Sequence, residues 1–540
     1  MKRIFVILIF FPILSFSQEK DYKNFDRAVK YNSEGNIQKA IKYANKALEK
    51  DPDWSTPNLL LASIYANDKQ IELAVNYLLK VYSETEPKDL KGIEQVAILY
   101  YTNGFYNKAL LYFNNIFNKY KDQYKLNANI ERYINNCEFA IEALKNPIEF
   151  NPVNLGSNIN SEFEEYFPAI SVDGKILVYS RRFIKNDILQ EDFFISEKNE
   201  NNSWEPSKNY GDNLNTYGNE GAFSFSVDKE MAIFTACDRE DRIGRCDLYL
   251  LIAGETYNAG NIINSKEWDS QGCFSPDGKY LYFVSSREGG YGGKDIWRSE
   301  ITAEGFLEPE NLGPNINTSF NEMSPFLHPD NITLYFASDG HIGMGDYDIF
   351  ICRRESTINK WNKPENMGYP INTFNIENSL VVANNGTTAY YASDKTGFGK
   401  EDIFQFELPK HLQADSLAEL EMDIITQKVG EEVILRDVSF TSNSYDLDKS
   451  SFVELDKLIS YLIKNPDLQI EIQGHTDDIG NKIDNQLLSD KRARSVFEYL
   501  KVRVSNSLRY QGFGESVPLE TNATKKGRAI NRRTSFIILN

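Results

Sequence analysis

Apolar and polar positions obey three successive rules along the 540 residues, and each rule predicts a different architecture. Between residues 19 and 145, small and aromatic residues recur at the spacing of a helix pair: Ala28, Tyr31, Gly35, Ala40 and Ala47, then Ala62, Tyr65 and Ala74, then Ala97, Tyr100, Gly104, Ala109 and Phe113. Ala40, Ala74 and Ala109 stand 34 and then 35 residues apart. Small residues at that period let the two helices of a hairpin touch, while the aromatics fill the groove to the next hairpin. The pattern predicts an all-α solenoid of about three hairpins, with Tyr133 to Leu144 as a capping helix.

From 150 to 408 the pattern turns to short aromatic and β-branched strands, such as Tyr280 to Ser285 and Thr333 to Ser338, joined by turn residues. Three sets of markers keep one register. The first is a turn at Asp173-Gly174, Asp228-Lys229, Asp277-Gly278, Asp330-Asn331 and Asn385-Gly386. The second is an acid opening a strand, at Asp192, Asp247, Asp295, Asp348 and Asp402. The third is a glycine before an Asn-rich loop, at Gly156, Gly211, Gly260, Gly313 and Gly368. All three advance by about fifty residues, which predicts five copies of a four-stranded unit and hence an all-β five-bladed propeller. Pro152 to Gly156 resembles Pro309 to Gly313 and Pro364 to Gly368, and no such copy follows Asp402. The first copy is therefore expected to lend the outer strand of the last blade, closing the ring without an open edge.

Residues 409–429 read as a linker with a helical stretch from Ala414 to Met422. The last stretch, 430–540, alternates: strand at Val433 to Phe440, helix at Ser451 to Lys464, strand at Leu468 to Gln473, long amphipathic helix at Asn485 to Val502, then strands at Arg509 to Gly512 and Thr534 to Leu539. That order predicts an α+β domain with helices on one face of a sheet. A multidomain chain is also what this length implies.

Composition narrows the compartment and the partners. Lys2 and Arg3 precede an apolar run from Ile4 to Phe16, with Ser15 and Ser17 just before Gln18. This predicts a signal peptide at 1–17 cleaved near Ser17, the alternative being an uncleaved anchor. No second run of about 18 apolar residues follows, and no Cys follows the first, which argues against a lipid anchor. A net charge of -19 argues against nucleic acid and anionic lipid as partners. Of five cysteines, Cys237 and Cys246 flank the tight segment Asp238 to Arg245 and are the expected disulfide, the alternative being two unrelated buried thiols. Cys137, Cys273 and Cys352 read as lone core residues. No metal or cofactor is expected: the four His are not at ligand spacing of one another, and Gly289 to Lys294 lacks the spacing of a phosphate loop and reads as a turn. The repeated strand-opening acids satisfy backbone donors in this reading, with calcium ligation as the alternative.

The helical repeats resemble the tetratricopeptide family. Asp277 to Tyr282 and Gly292 to Trp297 resemble WD40-like Asp-Gly-Lys propeller repeats of TolB-type and OmpA-associated proteins. In the last domain, Gly474-His475-Thr476-Asp477-Asp478-Ile479-Gly480 is followed by Asn485, Leu488, Ser489, Arg492 and Ala493, then by Gly512, Gly514, Glu515, Asn531, Arg532 and Arg533. This combination resembles the OmpA-like C-terminal domain shared with Pal and MotB. The resemblance implies binding of the peptidoglycan stem peptide at diaminopimelate, whose free end carries an ammonium and a carboxylate on one carbon. Asp477 would accept from the ammonium and Arg492 would clasp the carboxylate. Thr476, Asn485 and Leu488 match pocket-lining positions, Arg533 matches an arginine that approaches the pocket, and Phe440 with the loop 441–444 matches its mouth. The bland alternatives are a turn cap for Asp477 and a surface ion pair for Arg492.

The expectation from these features is a non-enzymatic protein of the periplasm, associated with the outer membrane and cell wall. It would hold peptidoglycan noncovalently and scaffold other envelope proteins through its propeller and helical repeats, although the helices alone fit a plain spacer equally well. The architecture resembles accessory proteins of Bacteroidetes, some tied to type IX secretion or gliding. The alternatives are a wall hydrolase, which needs paired carboxylates in the propeller channel, and a sensor that binds a small ligand there.

Overall fold

The computed structural model describes residues 20–540 apart from 85, 121–127, 172–173, 186–187, 227–228, 230, 277, 356–359, 395–396, 415–428, 431, 436–437, 442–443, 449–450 and 540. The expected signal peptide, nearly all of the helical stretch in the linker, and Asp173, Asp228 and Asp277 lie outside the described residues. The chain divides into two compact units. One holds the residues up to Ile148 with His341–Asp348 and Gly368–Ile376; the other holds Glu149–Gly340, Ile349–Met367 and the residues from Glu377 onward.

In the first unit, helices α1 (Tyr22–Ser33), α2 (Ile37–Leu48), α3 (Ser55–Asn67), α4 (Ile71–Leu79), α5 (Leu90–Tyr101), α6 (Tyr106–Tyr120) and α7 (Ala128–Lys145) pack in sequence. Asp21 and Asn36 cap α1 and α2 by accepting from the backbone N–H of Asn24 and Lys39. Ala40, Ala74 and Ala109 are fully buried, as small residues at helix contacts must be. The same 34- and 35-residue steps repeat in three stacked tyrosine pairs, Tyr31 on Tyr43, Tyr65 on Tyr77 and Tyr100 on Tyr112, with ring centroids 5.4, 5.6 and 5.9 Å apart. Unforeseen in the sequence, Met344 of the segment His341–Asp348 is buried in this helical core. The hydroxyls of Tyr101 and Tyr106 donate to the carbonyls of Gly345 and Met344, each at 3.0 Å.

Residues 153–407 form five antiparallel sheets on one plan, represented by Asp269–Phe274, Tyr280–Ser285 and Asp295–Thr302 with two short strands on the last. The fifth sheet, Val381–Val382, Thr388–Ser393 and Asp402–Glu407, takes its outer strand from Val153–Asn154, with Val153 opposite Gln405. The strand-opening acids explain their own repetition. Asp247, Asp295, Asp348 and Asp402 each accept from two backbone N–H groups in the preceding turn, those of Ile243 and Gly244, Tyr291 and Gly292, Met344 and Gly345, and Phe398 and Gly399. Each such turn ends in a glycine because there is no room for a Cβ: one on Gly292 would overlap the Phe320 carbonyl, and one on Gly399 the Phe163 carbonyl. An asparagine side chain completes the motif, Asn311 to Asp295 and Asn154 to Asp402, both at 2.7 Å. Cys237 and Cys246 face each other on adjacent strands and are joined by a disulfide, while Cys137, Cys273 and Cys352 are buried free thiols.

The last domain is a four-stranded sheet in the order Glu432–Leu435, Thr534–Ile538, Gln469–His475, Ser507–Gly514. Its final pair is parallel, so the chain must cross over, and α9 (Lys482–Lys501) makes the crossover, packing on both strands. Gly474 and Gly512 admit it closely: a Cβ at either would overlap the backbone of Ser489 or Asp490. Leu455, Leu458 and Leu462 of α8 (Ser451–Lys464) share the core with Ile470, Ile472, Val496 and Phe536.

Four of the five sheets also bury an acid at the start of the first strand, at Glu165, Glu220, Asp269 and Glu322. Glu165 and Asp269 are met by Arg181 at 2.6 Å and Arg287 at 3.0 Å. Glu322 is fully buried and accepts from Thr318 N–H (2.8 Å) and the hydroxyls of Thr318 (2.7 Å) and Ser338 (2.8 Å), with no cation within 4.0 Å among the described residues. Burial raises its carboxyl from 4.5 to about 7, with hydroxyl and backbone donors opposing and Asp295 adding to the rise. Because the folded state holds this proton more tightly, stability from it is complete below the unfolded value and is lost as pH rises toward 7, by on the order of 3 kcal/mol. Denaturant titrations should therefore show stability falling across that window in the parent and much less in Glu322→Gln; equal slopes would contradict this.

Candidate functional site

Asp477 follows the end of the strand Gln469–His475, on the approach to α9. Its side chain is 10% exposed. One oxygen accepts from Ile479 N–H at 3.1 Å, as a turn cap would, and the other accepts from Arg532 Nη1 at 2.6 Å. Asn485, in the first turn of α9, donates to the Asp477 carbonyl (3.2 Å) and to Glu515 Oε2 (2.7 Å), tying the loop to the helix. Thr476 is held by its N–H to the Gly514 carbonyl at 2.9 Å, and its buried hydroxyl has no partner among the described residues.

Asn485, Leu488 and Arg492 lie three and four residues apart and so share one side of α9. Leu488 is half-buried. Arg492 donates through Nε to the Ser444 carbonyl at 3.2 Å, and its guanidinium lies 4.9 Å over the Phe440 ring. No carboxylate lies within 4.0 Å of it among the described residues, so it is not the surface ion pair of the bland alternative. Burial and the charge of Arg532 both pull this guanidinium below its ordinary value, while Asp477 pulls it up. Phe440 bridges to Leu447 and so fixes the loop that carries Ser444.

Arg533, expected at the pocket, is elsewhere. It is buried and donates to both oxygens of Glu432, at 2.7 and 3.2 Å, and to the Val517 carbonyl. Arg532 reaches Asp477 instead, because neighbouring residues entering a strand point to opposite sides. Within the Asn531-Arg532-Arg533 run, Arg532 meets Asp477 and Arg533 meets Glu432. Asn531, fully buried, clamps the adjoining loop through Leu519 and Glu520 N–H. His475 stacks on Phe513 at 5.3 Å, and burial with Arg533 pushes its ring down to about 4, Glu432 opposing, so it is neutral at physiological pH. The site thus offers a carboxylate paired with a half-exposed arginine and, within its electrostatic reach, a second arginine lacking an acidic partner among the described residues, charges complementary to a ligand bearing both signs.

Residues 439–532 match the OmpA family model. The chain is 41% identical over 96 residues to outer membrane porin F of Pseudomonas fluorescens, covering 16% of this chain and 29% of that one. It is 31% identical over 103 residues to the peptidoglycan-binding protein ArfA of Mycobacterium tuberculosis, covering 19% and 32%. Among solved structures it is similar to the peptidoglycan-associated lipoprotein of Burkholderia pseudomallei, 28% identical, covering 19% of this chain and 87% of that one, with a TM-score of 0.18. The chain therefore spans about a third or less of the length of these two curated relatives, 29% and 32%. The α+β domain that carries Asp477 and Arg492 is an OmpA-like domain.

Proposed function

We propose that this chain is a non-enzymatic anchor of the cell envelope whose OmpA-like domain binds peptidoglycan by recognising diaminopimelate. The observation that carries the reading is Arg492, held over Phe440 without a carboxylate partner on the same helix that Asn485 ties to Asp477. The ligand's ammonium would join Arg532 on Asp477, and its carboxylate would take paired bonds from Arg492. Thr476 and Leu488 would line the pocket. The name of ArfA, which states that it binds peptidoglycan, supports this.

The five sheets are then blades of a closed propeller, and the helices a tetratricopeptide solenoid, each presenting surface to other envelope proteins. In favour of closure, Asn154 bonds Asp402 within the last sheet as Asn311 bonds Asp295 within the third, and Gly399 lies against the Phe163 carbonyl ahead of the first sheet as Gly292 lies against the Phe320 carbonyl ahead of the fourth. The disulfide suits the periplasm, an oxidising compartment. A part in type IX secretion or gliding rests on the resemblance in architecture alone.

Sedimentation with purified murein sacculi tests the anchor. Asp477→Ala and Arg492→Ala should each weaken retention about thirtyfold or more, because truncating one partner of a buried charge pair costs about 2 to 5 kcal/mol. Retention equal to the parent in both would overturn the proposal. Arg533→Met should behave in the opposite way, leaving Glu432 unpaired. Its unfolding midpoint should drop by the equivalent of roughly 2 kcal/mol, less than for a fully buried pair, since Glu432 is 24% exposed. The folded variant should still sediment with sacculi.

A further inference from the structure

The first strands of four sheets, and the residues just ahead of Val381–Val382 in the fifth, share a conformation that no periodicity of apolar residues announces. Phe167, Ala222, Gln271, Ser324 and Ser379 all have positive φ, between 51° and 55°, although none is glycine. In four sheets the strand register slips at that point, by one bulge each. All five residues line a single cavity of about 100 Å³. Strained backbone gathered at one place in this way is retained only where the surrounding fold enforces it.

The ring of five is lopsided. Phe167 and Ala222, on neighbouring sheets, are apolar, whereas Gln271, Ser324 and Ser379 are polar. Gln271 Oε1 accepts from Ser324 N–H at 2.8 Å, which fixes the amide with its NH2 donors unspent among the described residues. Ser379 is 6% exposed, and its hydroxyl, like that of Ser324, has no partner among the described residues. No charged side chain is among the described residues of the lining. The volume corresponds to roughly seven to ten ordered waters, about the space of one sugar ring.

We propose that this cavity binds a neutral pyranose. A pyranose has an apolar C–H face, which would lie on Phe167, and a rim of hydroxyls, which would take the amide of Gln271 and exchange hydrogen bonds with Ser324 and Ser379. An ionised ligand would lose hydration without meeting an opposite charge. The inference goes beyond wall anchoring and is independent of Asp477 and Arg492.

Isothermal titration of the full chain with glucose and with N-acetylglucosamine tests it, with glucuronate as the charged comparison. Saturable binding of at least one neutral sugar is expected, with glucuronate weaker by about tenfold or more. Ser379→Ala should weaken the neutral sugar about tenfold without moving the melting temperature of the unliganded protein. Phe167→Ala should weaken it likewise, and should it fail to fold, Ser379→Ala alone decides. Asp477→Ala should leave sugar binding intact, which separates this site from the wall site. Absence of saturable binding by both neutral sugars, glucuronate binding as well as they do, or undiminished binding by Ser379→Ala would each overturn the proposal.

Discussion

A guanidinium drawn partly out of water seeks a carboxylate, and in the last domain Arg492 has been denied one. The parallel pairing of Gln469–His475 with Ser507–Gly514 demands a crossover helix, and that helix brings Arg492 toward the loop after the first of these strands. Close approach is possible because Gly474 and Gly512 have no side chains in its path. Asp477 is held by a turn N–H and by Arg532, and Arg492 by a carbonyl and an aromatic face. Neutral partners leave much of a guanidinium's bonding capacity unused, which is what a carboxylate ligand needs.

The sheets obey a different constraint. Turn N–H groups beside a strand start have no ladder partner, and an aspartate at the first strand position accepts two of them at once. A glycine then lets each turn lie against the next sheet's backbone. One motif therefore serves both within a sheet and between sheets. Its use by Asn154 and Asp402, which are distant in sequence, is what gives the strand Val153–Asn154 its place in the fifth sheet.

Periodic features were the readable ones. Ala40, Ala74 and Ala109, four of the five expected strand-opening aspartates, the outer strand at Val153–Asn154 and the long helix that carries Arg492 all follow from local spacing, whereas Asp192 lies inside the longer strand Ile188–Glu197 and accepts from Gln190 and Asn209 instead. The helix was read three residues short at its start because Asn481 caps it through its side chain, a cue lying outside the amphipathic pattern. Features set by packing between distant segments were not readable. Met344 occupies a turn position equivalent to Tyr291 and Phe398, yet it is 1% exposed while they are 52% and 54% exposed. The positive φ shared by Phe167, Ala222, Gln271, Ser324 and Ser379 leaves no trace in residue type. Arg532 and Arg533 are the same residue twice, and only the strand's alternation separates their roles.

The central claim is that two opposite charges, one on a loop and one on the crossover helix, recognise one doubly charged carbon. Calorimetric titration of the full chain with a stem peptide containing diaminopimelate, against the same peptide with lysine in its place, isolates the ligand carboxylate. The account predicts binding of the first and a loss of about 2 kcal/mol or more for the second, which leaves Arg492 unpaired. Equal affinity for the two peptides would contradict it.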